Sequence, residues 1–231
     1  MSALPLWHTE PFSVQPLRPH QTKAITMLRE RIMAGSKRIV VELATGAGKT
    51  RIAAEISKLA LAKGNSVAFT VPAISLIDQT VEAFEAQGLD HLGVIQAHHP
   101  RTHYGAPLQV CSVQTIARRF VPSADVVIVD ECHLQFKVIR DWMQQHPDKT
   151  FVGLSATPWA KGMAEDWQEV VSPARIQDLI DAGYLSPFKV YAPSHPDLSG
   201  VRTVRGDYEE DGLAKAMGDK RLIADVVEPW L

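Results

Sequence analysis

The stretch "KRIVVELATGAGKT", Lys37 to Thr50, sets a short apolar run against a glycine-rich turn that ends in Lys-Thr. The run has the length and texture of a buried strand, and "RIAAEISKLALAKG" after it has the apolar spacing of a helix. Glycine adopts positive φ without steric cost, so Gly46 and Gly48 let successive backbone N–H groups curl around an anion. A helix starting at Lys49 aims the positive end of its dipole at the same place. Strand, loop and helix in that order read as a phosphate loop built from Thr45, Gly46, Ala47, Gly48, Lys49 and Thr50. Lys49 is placed for β- and γ-phosphates, and the Thr50 hydroxyl for Mg²⁺. One position departs from the strict spacing: Leu43 stands where that pattern wants glycine.

A phosphate loop needs a carboxylate from a neighbouring strand. "ADVVIVDECHLQ", Ala124 to Gln135, supplies two at the end of an unbroken apolar run. Asp130 is expected to face the metal through its water shell, and Glu131 to orient and deprotonate an attacking water. Rival readings of these residues are weaker. A zinc site on Cys132 and His133 lacks two further ligands at suitable spacing. Cys132 with His133 as its base makes a poor nucleophilic pair, because adjacent residues rarely align for attack. Packing is the expected role for Cys132. The histidines of "HHPRTH" (His98, His99 and His103) read as a solvated loop that could touch phosphates.

The remaining pattern alternates apolar strands with amphipathic helices: a helix from Gln21 to Ala34 stopped by Gly35, strands in "SVAFTVP", "HLGVIQA", "LQVCSV", "DVVIVD" and "TFVGLSA", and helices through "ISLIDQTVEAFEAQG", "QTIARRF" and "KVIRDWMQQH". Such alternation implies an α/β fold with a mostly parallel sheet and helices on both faces. "ATGAGKT", "VDECH" and "LSATP" all begin where an expected strand ends, the edge where such sheets bind ligands. Further on, "ARIQDLIDAG" reads as a helix and "PFKVYAP" as a last strand. Residues 194–211 read as a polar linker, and "DGLAKAMGDKRLIADVVEPWL" restarts a helical pattern.

Bulk composition is that of an ordinary globular protein: 231 residues, 45% hydrophobic and 22% charged. Lys plus Arg number 24 against 26 for Asp plus Glu, so any polyanion-binding surface must be local. Two well-separated cysteines, Cys111 and Cys132, suggest a reducing compartment rather than a disulfide framework. With no secretory leader and no run of about 20 apolar residues, the expectation is a cytoplasmic protein without a membrane partner.

The chain resembles superfamily-two helicases and translocases of the DEAD/DEAH type. "ATGAGKT" is similar to their motif I, "DECH" to motif II, and "SAT" to motif III. "PLRPHQ" resembles their adenine-recognition segment, which implies Arg18 and Gln21 as base contacts. "FTVPAISLIDQT" and "CSVQTIARR" are similar to motifs Ia and Ib. They imply nucleic-acid contacts from Pro72, Ala73, Ser112, Gln114 and Thr115, for which ordinary helix capping is the competing reading. His133, Ser155 and Thr157 would couple the ATP site to the nucleic-acid face. The resemblance spans roughly residues 14 to 192 and implies a RecA-like P-loop domain that uses ATP and Mg²⁺. "DECH" with "GYLSP" looks most like the bacterial and phage branch of RadD-like repair helicases and type III restriction subunits.

The expected organisation is a RecA-like ATP-binding lobe over residues 1–193, then a linker and the start of a second lobe over 194–231. No Gln-x-x-Gly-Arg-x-x-Arg pattern follows residue 160. The second RecA-like lobe, with its arginine fingers, is therefore expected outside this chain, and the isolated lobe should hydrolyse ATP weakly. The implied function is movement on nucleic acid, with DNA preferred over RNA. Alternatives are a DNA-translocating motor of a restriction or remodelling complex, and a non-catalytic binding module with a vestigial ATP site.

Overall fold

The computed structural model describes residues 16–96, 98–188, 198–201, 203, 204, 207, 208 and 212. They divide into two compact units between Leu185 and Ser186, eight residues before the boundary expected from composition.

The first unit is built on seven parallel strands, each followed by a helix or a turn. In chain order the elements are α1 (Pro19–Met33), β1 (Arg38–Glu42), α2 (Lys49–Leu61), β2 (Val67–Val71), α3 (Ile77–Glu85), β3 (Leu92–Ile95) and β4 (Leu108–Ser112). They continue with α4 (Val113–Arg118), β5 (Val126–Asp130), α5 (Lys137–Gln145), β6 (Thr150–Ser155), α6 (Met163–Asp166), β7 (Glu169–Val171) and α7 (Ile176–Asp181). The sheet order is β3-β4-β2-β5-β6-β1-β7. β6 thus lies between the strand that feeds the phosphate loop and the strand that ends in the acid pair.

Alternate residues of each strand enter opposite layers, as the two-residue period of a strand demands. Ile39, Val41, Phe69, Ile128, Val152 and Leu154 pack with α1, α2 and α3 in one core. Val40, Ala68, Val127, Val129 and Phe151 pack on the other face with Ile116 of α4 and Ile139, Trp142 and Met143 of α5. Because both faces are covered, the central strands carry unbroken apolar runs.

Several elements differ in detail from their sequence signals. α1 begins at Pro19 rather than Gln21, since proline suits a first helical turn whose N–H has no partner, and Gln21 closes the turn from inside by accepting the Arg18 N–H. The helix expected over "ISLIDQTVEAFEAQG" starts as a 3-10 turn, Ile74–Leu76, before α3. Strand β7 is three residues long at the sheet edge and carries no alternation to signal it. Pro187 and Phe188 form no strand, and the rest of "PFKVYAP" lies outside the described residues. The helical restart of residues 211–231 lies almost wholly outside them too.

In the second unit, β8 (Thr203–Val204) pairs antiparallel with β9 (Asp207–Tyr208), inside the stretch expected to be linker. Among the described residues no helix is long and apolar enough to cross a membrane.

Candidate active site

The phosphate loop leaves β1 at Glu42 and turns through Gly46 (φ 82°) and Gly48 (φ 90°), both in the left-handed region. Gly48 is the N-cap of α2, and a Cβ there would stand 2.4 Å from Gln21 Nε2, so only glycine fits. Leu43 is 2% exposed and packs in the core, while its N–H donates to the Ser155 carbonyl at 2.9 Å. A residue so enclosed takes no part in the loop's curl, which is why the glycine of the strict pattern is dispensable here.

The Ala47 carbonyl is turned away from the loop's concave side. It accepts from His20 Nε2 at 2.9 Å and from Gln21 Nε2 at 3.1 Å. Since a carbonyl only accepts, the His20 proton sits on Nε2, and Nδ1 is buried without a partner among the described residues. His20 tilts against Tyr184, and the Arg18 guanidinium stands 5.0 Å over the same ring. Leu185 completes the support at 3.1 Å from the position of a Gly46 Cβ. Arg18 is exposed, whereas Gln21 is buried and uses one lone pair on the Arg18 N–H and one N–H on Ala47. His20, Tyr184 and Leu185 went unassigned in the sequence, because what they support is 27 or more residues away.

Beyond the end of β5 the backbone makes a left-handed turn at Glu131, φ 47° and ψ 49°, a conformation that costs a non-glycine residue about 1–2 kcal/mol. The turn sorts successive side chains. Glu131 Oε1 meets Lys49 Nζ at 3.0 Å, while Cys132 drops into the core at 3% exposure. The space for Cys132 comes from Gly153 of β6, where a Cβ would lie 2.7 Å from the thiol sulfur. Burial, then the charges of Glu131 and Asp130, push that thiol up to about 12, so it is an inert packing group.

His133 Nδ1 lies 2.9 Å from Ser155 Oγ and 3.4 Å from Glu131 Oε2. A proton on Nδ1 satisfies both contacts at once, because carboxylate and hydroxyl oxygens both accept. Ser155 Oγ also accepts the Thr157 backbone N–H at 3.0 Å. Ser155 is fully buried and Thr157 exposed, and Thr157 meets Ser155 through its backbone rather than its hydroxyl. Ser155, at the end of β6, therefore links the residue after β1, Leu43, by its carbonyl with the turn after β5, at His133, by its hydroxyl.

Asp130 is partly buried, and its pKa is raised chiefly by desolvation and then by Glu131 beside it. Lys49, the Glu131 N–H and His133 oppose that shift only in part. The Asp130 carboxylate and the exposed Thr50 hydroxyl are oxygen donors of the kind that suits Mg²⁺. Among the described residues no group of three or more His, Cys, Asp or Glu is placed to hold a metal ion. His99 instead bonds Asp78 at 3.0 Å.

The residues assigned to nucleic acid divide. Ser112 is fully buried, accepts the Thr115 N–H at 3.2 Å and donates to Thr115 Oγ1 at 2.8 Å, so its hydroxyl caps α4 and that of Thr115 turns to it. Gln114 is exposed, and its amide donates to the Pro72 carbonyl, tying the loop after β2 to the first turn of α4. Pro72 and Ala73 are half-buried at that loop.

Residues 15–160 match the protein family described as type III restriction enzyme, res subunit. A 51.5 kDa protein of a Lactococcus phage (isolate 7-9) is 25% identical over 201 residues, covering 83% of this chain and 40% of that protein. The type I restriction enzyme EcoAI endonuclease subunit of Escherichia coli is 25% identical over 221 residues, or 84% of this chain and 26% of that one. The crystal structure of the UvsW helicase from bacteriophage T4 superposes with a TM-score of 0.58 at 20% identity, over 68% of this chain and 60% of that one. This chain thus spans well under half the length of these two curated relatives.

Proposed function

The chain belongs to the type III restriction enzyme res subunit family, and on that footing we propose that it is the ATP-binding RecA-like lobe of an ATP-dependent nucleic-acid motor. The observation that carries the reading is the convergence of Lys49, Glu131 and Asp130 at one sheet edge, with Lys49 Nζ 3.0 Å from Glu131 Oε1. As they stand, these two charges neutralise each other. An arriving triphosphate offers Lys49 a stronger anion, which releases Glu131 to orient and deprotonate the attacking water. His133 holds the second oxygen of Glu131, so the acid keeps its direction once Lys49 has turned away. The backbone N–H groups at Gly46 and Gly48 and the start of α2 cradle the phosphates. Bound Mg²⁺, held by Thr50 and Asp130, would neutralise charge on the β- and γ-phosphate oxygens. Arg18, Gln21 and Tyr184 frame the side on which the adenine would sit.

DNA is the preferred track, and a second lobe would supply the arginines that complete the site. The family match favours a particular form of this motor: translocation along duplex DNA without strand separation, as a subunit of a restriction-type assembly. Nucleotide turnover with single-stranded DNA, duplex DNA and RNA tests the proposal. Stimulation by at least one of them, abolished in Glu131→Gln, supports it, and an unchanged rate with all three refutes it. Displacement of a triplex-forming strand without duplex unwinding would favour the translocating form.

A further inference from the structure

From His91 to Ala124 the chain contains no aspartate or glutamate, although it has 26 of them in all. The same stretch carries Arg101, Arg118 and Arg119 and four histidines. It therefore forms a local basic zone on a chain whose net charge is −2. Two of its residues are aromatic, and they touch each other. Tyr104, in the loop before β4, meets Phe120, just beyond α4, edge to face, with ring centroids 5.5 Å apart. Both are far from buried, Tyr104 at 55% and Phe120 at 45% exposure. Arg118 and Arg119 are exposed, and their side chains have no hydrogen bond or ion pair among the described residues. Nearby Arg101, by contrast, is spent on Glu85.

We propose that Tyr104 and Phe120 form a stacking platform for an unpaired base of a nucleic-acid strand, with Arg118 and Arg119 holding its phosphates. The inference rests on the nucleic-acid reading above and names the contact through which the lobe grips its track. Aromatic faces beside unpaired guanidinium groups fit a polyanion that carries planar rings. An apolar protein partner would not need the cations, and an acidic one would not need the rings. The position agrees. Gln114 joins the Pro72 loop to the first turn of α4, and from there about 6 Å of helix runs to Arg118, two residues before Phe120. A strand passing Gln114 and following α4 would arrive with its next bases at the platform.

The test is fluorescence anisotropy of the full 231-residue chain with labelled dT16, rU16 and a 16-residue abasic DNA strand. Wild type is expected to prefer dT16 to the abasic strand, whose phosphates are the same. Tyr104→Ala/Phe120→Ala should lose about tenfold in affinity for dT16 and rU16 and almost nothing for the abasic strand, at an unchanged melting temperature. Tyr104→Phe/Phe120→Tyr, which keeps both rings, should bind as wild type. Arg118→Ala/Arg119→Ala should weaken all three strands alike and flatten the salt dependence. If the aromatic double variant binds dT16 as wild type does, or loses the abasic strand equally, the platform is refuted while the nucleic-acid track stands. If wild type binds none of the strands, both readings fall.

Discussion

Lys49 Nζ and Glu131 Oε1 stand 3.0 Å apart, so the cation proposed to bind phosphate and the acid proposed to activate water occupy each other. Their side chains are 14% and 30% exposed, so the pair is only partly screened by water. This competition sets the first prediction. Glu131→Gln frees Lys49 and should bind ATP about two- to fivefold more tightly than wild type. Lys49→Ala should bind at least about tenfold more weakly, because a charge-assisted contact is lost. Titration with a fluorescent ATP analogue measures both, and equal affinities in the three proteins would remove the ion pair from the account.

Ser155 gives a second prediction, since its hydroxyl joins His133 to the Thr157 N–H. Ser155→Ala leaves both part-buried groups without that partner, at a cost of about 0.5–1.5 kcal/mol. Nucleotide affinity should stay near wild type, while the stimulation of turnover by nucleic acid is lost. A variant stimulated as strongly as wild type would show that the link carries no coupling.

Gly48 and Gly35 form a matched pair of probes. Both have positive φ, 90° and 103°, but an added Cβ meets Gln21 at Gly48 and open space at Gly35. Gly48→Ala should cost about 2–3 kcal/mol and abolish nucleotide binding. Gly35→Ala should cost about 1 kcal/mol and leave binding intact. Thermal melting with a nucleotide titration reads both, and equal destabilisation would contradict the close approach of Gln21.

A pH prediction comes from the opposite end of the sheet. The Ser66 backbone N–H, then Lys149, then the Ser66 hydroxyl hold Asp125 at about 2, below its ordinary 3.8. A lowered carboxylate stabilises the fold fully above its unfolded pKa and loses that contribution as the pH falls through the folded value. Asp125→Asn should therefore melt lower than wild type at pH 6, by roughly 1–3 °C because the group is well exposed, and the gap should close between pH 4 and pH 2. A gap that stays constant over that range would refute the assignment.

What could be read from the sequence followed the range of the interactions. The phosphate loop was legible because strand, glycines, Lys49 and Thr50 are contiguous, and the parallel α/β fold because apolar runs alternate with helical spacing. The membership of Asp130 and Glu131 in the same edge followed from that alternation. The placement of β6 between β1 and β5 did not, and that order lets Ser155 touch both sides. His20 and Tyr184 stayed silent because they serve Ala47 and Arg18 from distant parts of the chain. Ser112 was ambiguous in sequence, since a hydroxyl before a helix can cap it or face a ligand, and burial decides for capping.

The most direct test of the central claim is single-turnover hydrolysis of ATP with Mg²⁺ by the 231-residue chain and its Glu131→Gln variant, with bound nucleotide measured in the same samples. Wild type should hydrolyse slowly and faster with nucleic acid, while Glu131→Gln binds ATP fully and turns it over at least about 100-fold more slowly. Hydrolysis by Glu131→Gln at the wild-type rate would contradict the account.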